Sequence, residues 1–73
     1  MPDRTSGASP ATAAAELHVI TDNVERQRER VAAIAEPFLG SSREDIVATV
    51  LEAERQLLIA ARALRRAIKS IER

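Results

Sequence analysis

The sequence predicts an all-α protein, an antiparallel hairpin of two helices that assembles as a dimeric four-helix bundle. Apolar residues recur in alternating steps of four and three along two long segments, and Pro37 and Gly40 separate these segments. The chain also has only 73 residues and no cysteine. A core of that size is marginal without disulfides or a metal, so we expect a partner chain to complete it.

Residues 1–9 are polar and contain Pro, Gly, Ser and Thr, so we expect a disordered N-terminal segment. Ser9 and Pro10 follow as a helix-start signature. A serine side chain can cap the unpaired N–H groups of a first turn, and proline at the first helical position loses no bond that it needs. The helical hairpin is therefore expected over residues 10–73, with its first helix at about 10–37.

A turn is expected at about residues 38–42. Gly40 is the kind of residue that ends a helix in a left-handed conformation. Ser41 and Ser42, followed by Glu44 and Asp45, offer a capping box for the second helix. No glycine or proline follows, so this helix is expected at about 43–72.

The two apolar stripes are expected to meet in one seam in which large residues face alanines. Gln27 interrupts the first stripe, either as a buried polar residue that fixes the register or with its side chain bent to solvent. The predicted hairpin seam consists of Leu17, Ile20, Val24, Val31, Ile34, Phe38, Ile46, Val50, Ala53, Leu57, Ala60, Leu64, Ala67 and Ile71.

The second helix carries further apolar residues beside its stripe, which a hairpin alone would leave exposed. Soluble monomers avoid contiguous apolar patches unless these bind something. We therefore predict a partner interface, for a second copy of the chain or a related helical protein. Its residues are Val47, Leu51, Leu58 and Ile68.

A basic ridge is the alternative functional feature, and it would serve a regulator that binds nucleic acid or the ribosome. Cations are also common at helix C-termini, where they complement the helix dipole. The charges balance at 11 basic and 11 acidic residues, and Phe38 is the single aromatic residue, which argues against a nucleic-acid binder. The ridge consists of Arg62, Arg65, Arg66, Lys69 and Arg73.

Neither catalysis nor a cofactor, metal or small-molecule substrate is expected. His18 is the single histidine, and the sequence offers it no nucleophile or orienting acid in a catalytic pattern. No apolar run is long enough to span a bilayer, and residues 1–10 contain no hydrophobic signal core. We expect a cytoplasmic protein, with export by a route that uses no cleaved signal as the alternative.

The turn resembles that of the Trp-x-Gly helical hairpins secreted by type VII systems. Phe38 stands where the family has Trp, Gly40 matches its Gly, and an acidic residue opens the second helix. The resemblance covers roughly residues 11–73 and implies homo- or heterodimeric four-helix bundles that act as secreted partners or effectors. The sequence contains no tyrosine, so it lacks the family's Tyr-x-x-x-Asp/Glu export signal.

Overall fold

The computed structural model describes residues 8–73, which form a hairpin of two α-helices without a β-strand. Helix α1 covers Pro10–Ala35 and helix α2 covers Glu44–Glu72. A 3-10 turn at Glu36–Phe38 and a short loop join them. The predicted all-α hairpin is confirmed. Residues 1–7, which make up most of the segment predicted to be disordered, lie outside the described residues.

Helix α1 starts at the predicted signature. Ser9 has an extended backbone, and its Oγ accepts a hydrogen bond from the backbone N–H of Thr12 at 3.0 Å. Pro10 occupies the first turn, where its missing N–H has no helical partner to lose. The serine therefore satisfies one of the donors that every helix start leaves unpaired.

Helix α1 ends at Ala35, slightly before the predicted end, and continues as the 3-10 turn. Pro37 has no N–H with which to extend the α-helical hydrogen bonding. Gly40 then adopts the left-handed conformation that its position predicts, with φ +73°. This residue reverses the chain toward α2.

The start of α2 differs from the predicted capping box. Arg43 precedes the helix, and its side chain makes no capping hydrogen bond. Ser41 Oγ instead donates to the Phe38 carbonyl at 2.7 Å and accepts from the Arg43 N–H at 3.0 Å. The Glu44 carboxylate accepts from the Gly40 N–H at 2.9 Å. The serine and the acid thus satisfy polar groups of the loop and not those of the first turn of α2.

The buried seam is rotated relative to the predicted one. Half-buried positions such as Leu17, Val24 and Leu64 belong to both seams. Between these shared positions, the observed seam contains the residue that comes one position after each predicted one. Both helices are thus rotated so that this neighbouring row faces inward. Among residues 8–73 the buried ones are Ala14, Thr21, Ala35, Val47, Ala61 and Ile68.

Four residues of the predicted seam are consequently exposed: Ile20, Ile34, Ala53 and Ala60. Ile20 and Ile34 keep 42% and 56% of their surface accessible. Within residues 8–73, neither helix combines the length and apolarity needed to cross a bilayer.

Candidate interaction surface

Polar contacts join the two helices along one side of the hairpin. His18 Nε2 lies 3.3 Å from Glu72 Oε2, and Arg65 donates a hydrogen bond to Glu25. Each of these four residues directly follows a half-buried seam position. Residues that come one position after a half-buried seam residue in the sequence therefore meet on the same side of the hairpin. We call this side the polar face.

The middle of the seam is also polar. Arg28 Nη1 donates to Glu54 Oε2 across the hairpin at 2.7 Å, and Arg28 Nε donates to Glu25 Oε1 at 2.9 Å. The Arg28 hydrogen bond, followed by that from Arg65, lowers the pKa of Glu25 from its ordinary value of 4.5. The Glu25 and Glu54 hydrogen bonds raise the pKa of Arg28. Carboxylates from both helices therefore satisfy the Arg28 guanidinium in the middle of the seam.

The opposite side of the hairpin has mainly apolar inner rows, interrupted by Gln27. On each helix the inner row of this side consists of the residues that come one position before the buried or half-buried residues Ala14, Thr21, Arg28 and Ala35 of α1 and Val47, Glu54, Ala61 and Ile68 of α2. These residues recur every seven positions, which keeps them on one side of a helix pair. Residues one position after the half-buried seam residues meet on the polar face. Residues one position before the buried row therefore lie together on the other side of the hairpin. We call this side the apolar face, and its inner rows consist of Ala13, Ile20, Gln27, Ile34, Ile46, Ala53, Ala60 and Ala67.

The outer rows of the apolar face differ between the two helices. On α2 the outer row carries no charge and consists of Thr49, Gln56, Ala63 and Ser70. On α1 it consists of Glu16, Asn23 and Arg30, all exposed. The apolar face therefore has one charge of each sign, and both lie at the edge of α1.

The residues predicted to contact a partner do not form one surface. Val47 and Ile68 are 7% and 4% exposed and lie inside the hairpin, so the prediction that they are left over for a partner is corrected. Leu51 is exposed and Leu58 half-buried, and both lie in the row of Arg65 on the polar face. The rotated seam explains this outcome, because it draws the flanking row of α2 inward.

The apolar stripes of the sequence place most inner-row residues of the apolar face in the seam, so they do not identify this face as a partner surface. Gln27 was one signal against that assignment, since it interrupts the stripe of α1. The structure leaves Gln27 exposed, which agrees with the solvent alternative and not with a buried register-fixing residue. Arg28 and Glu54 are the second signal against that assignment. They lie next to the predicted stripe on each helix, and their opposite charges can form an ion pair across a hairpin.

The basic ridge is divided by the fold. Arg65 contacts Glu25 across the hairpin, whereas Arg62, Arg66, Lys69 and Arg73 are exposed and form no ion pair within residues 8–73. This part of α2 thus presents positive charge to solvent, away from the apolar face.

His18 and Glu72 lie between two open grooves at the end where α1 begins and α2 ends. One groove is lined by Pro10, Ala14 and Ile71, and the other by Thr21, Arg65 and Ile68. The His18 and Glu72 side chains are more than half exposed, so water reaches their contact.

Within residues 8–73, no group of three or more histidine or acidic side chains is arranged to hold a metal ion. Comparison of the chain with protein-family models, with curated proteins and with solved structures finds no match.

Proposed function

We propose that this chain is a small, non-catalytic protein interaction module that binds the helices of another chain through its apolar face. The observation that carries the proposal is the exposure of Ile20 and Ile34 beside a row of alanines on α2. Exposed apolar patches of this kind mark interaction sites in soluble proteins.

The small interior of the hairpin supports the same function. Of the six buried residues among 8–73, only Val47 and Ile68 have large aliphatic side chains. The remaining large seam residues, such as Leu57 and Leu64, are only half-buried. Covering the apolar face would remove further apolar surface from water and stabilise the chain at about 25 cal/mol per Å² of that surface.

The alanines on α2 determine what kind of partner fits. Ala53, Ala60 and Ala67 recur at every seventh residue, so they form a shallow track along the helix. Small side chains let a second helix approach closely, and larger residues beside them fill the remaining space. A helical hairpin with a complementary track matches this surface better than an extended peptide does.

The test is unfolding monitored at several protein concentrations, together with sedimentation equilibrium. If the chain binds a second copy, the melting temperature should rise with concentration. If it needs a different helical partner, the isolated chain should be a poorly cooperative monomer. A monomer that melts cooperatively at the same temperature at every concentration would contradict the proposal.

The second candidate function is contact with nucleic acid, and the four exposed cations Arg62, Arg66, Lys69 and Arg73 favour it. A mobility-shift assay at physiological salt tests this function. Affinity that falls steeply with salt concentration, and falls further on Arg62→Gln and Arg66→Gln, would support it. An interaction module requires no such binding, so the two functions are separable.

A further inference from the structure

We infer that the apolar face binds a second copy of this chain, with α1 of each copy antiparallel to α1 of the other. This inference rests on the proposed function and names the partner. In this arrangement Glu16 of one copy faces Arg30 of the other, and the contact occurs twice because the pair is symmetric.

The charges on the apolar face select this arrangement. Glu16 and Arg30 lie on the same outer row of α1, with Asn23 halfway between them. They are separated by about 21 Å at a rise of 1.5 Å per residue. When two identical helices pack antiparallel about Asn23, the acid of each lies opposite the base of the other.

The other symmetric arrangement leaves these charges unmatched. If α1 packed against α2 of the second copy, Glu16 and Arg30 would face the outer row of α2. That row contains Thr49, Gln56, Ala63 and Ser70 and offers no ion-pair partner. Opposite charges that face each other across an interface favour that arrangement over one in which they face uncharged side chains.

Small side chains on α2 fit the same symmetry axis. The contact between Glu25 and Arg65 places the middle of α1 level with Arg65 on α2. The apolar face of α2 near this level consists of Ala60, Ala63 and Ala67. The two copies of α2 would therefore meet at alanines, where backbones can approach closely, while Ile20 and Ile34 fill the space between the α1 helices.

Charge reversal gives a sharp test. Glu16→Arg places two arginines opposite each other at both contacts, and Arg30→Glu places two glutamates there. Each variant alone should self-associate about tenfold more weakly than the unchanged chain, because like charges replace both pairs. An equimolar mixture should recover the original affinity to within about threefold, because every contact in the mixed dimer again joins opposite charges.

The matched control is Glu29→Arg, an exposed acid of α1 outside the apolar face that forms no ion pair within residues 8–73. It should leave self-association unchanged, and circular dichroism should show the same helix content in all the variants. A dimer whose affinity is insensitive to Glu16→Arg and Arg30→Glu, or is not restored by mixing, would overturn the inference but leave the proposed function standing. A poorly cooperative monomer would also overturn the inference and leave the proposed function standing. A stable monomer would overturn both the inference and the proposed function.

Cross-linking provides an independent measurement because the chain has no cysteine. Asn23→Cys should be joined to its own copy by a short bis-maleimide reagent, since this position lies at the proposed axis. The control is Asp22→Cys, at a position that is also exposed but lies outside the apolar face. Cross-linking that is stronger for Asp22→Cys than for Asn23→Cys would contradict the proposed arrangement.

Discussion

Arg28 of α1 and Glu54 of α2 form an ion pair across the seam, with Nη1 2.7 Å from Oε2. Both side chains are less than one-third exposed, and Arg28 also contacts Glu25. Charge and hydrogen bonding thus join the helices in the middle of the seam, as the His18–Glu72 and Glu25–Arg65 contacts do on the polar face. Such a pair specifies register, because one step of sliding would separate it.

Replacing both members of this pair should be better tolerated than replacing one. Arg28→Leu leaves Glu54 without an ion-pair partner and Glu25 with Arg65 alone, and we expect the melting temperature to fall by roughly 5 °C. Glu54→Leu should cost less, since Arg28 keeps Glu25. The double variant should melt at or above the temperature of the unchanged chain, because leucines can pack against each other in the seam. Melting temperatures are measured by circular dichroism. A double variant whose melting temperature falls by the sum of the two single losses would contradict this prediction.

The helices and their ends were predictable because their signals are local. Ser9 and Pro10 define one start, and Gly40 marks the reversal. The orientation of the seam was not predictable by counting apolar residues, because both candidate rows are largely apolar. The row with more apolar residues contains Ile20 and Ile34, yet these are exposed.

The row that lies in the observed seam contains polar residues, and each of them has a hydrogen-bond partner. The observed row contains Thr21, whose hydroxyl donates to the Leu17 carbonyl at 2.7 Å, and the Arg28–Glu54 pair. Each residue looks unfavourable in a core when it is considered alone. Burial or partial burial of these residues is tolerated because each of them has a partner.

Isoleucines at two positions distinguish the observed seam from the predicted one. Ile68→Ala should lower the free energy of unfolding by about 2–4 kcal/mol, because the side chain is buried inside the hairpin. Urea unfolding should show this loss at every protein concentration. Ile34→Ala is the matched control, and its loss should appear only at concentrations at which the unchanged chain associates. A large loss of unfolding free energy for Ile34→Ala that does not depend on protein concentration would show that Ile34 is buried in the seam of the hairpin.

Gly40 should contribute to stability through its backbone conformation and not because neighbouring atoms leave no space for a side chain. Its φ of +73° lies in the left-handed region, and a Cβ added there would meet no atom within 4 Å. Gly40→Ala should therefore destabilise the chain by about 1 kcal/mol through backbone strain. Gly40→Asn should cost less, since asparagine adopts this conformation more readily. The midpoints of urea unfolding check the order, and equal stability of the three chains would show that the turn relaxes.

Acid should destabilise the hairpin partly through Glu25. Its pKa is lowered in the folded chain, so the unfolded carboxyl binds protons at a pH at which the folded one does not. The resulting stabilisation is fully present above the ordinary pKa of 4.5 and is lost as the pH falls through the lower folded value. Glu25→Gln should therefore be less stable at neutral pH and show a shallower decline between about pH 5 and pH 2. Thermal unfolding across this range measures the slope, and Glu29→Gln, at an exposed position, should keep the decline of the unchanged chain. Identical slopes for Glu25→Gln and the unchanged chain would show that the contacts of Glu25 with Arg28 and Arg65 contribute nothing to the pH dependence.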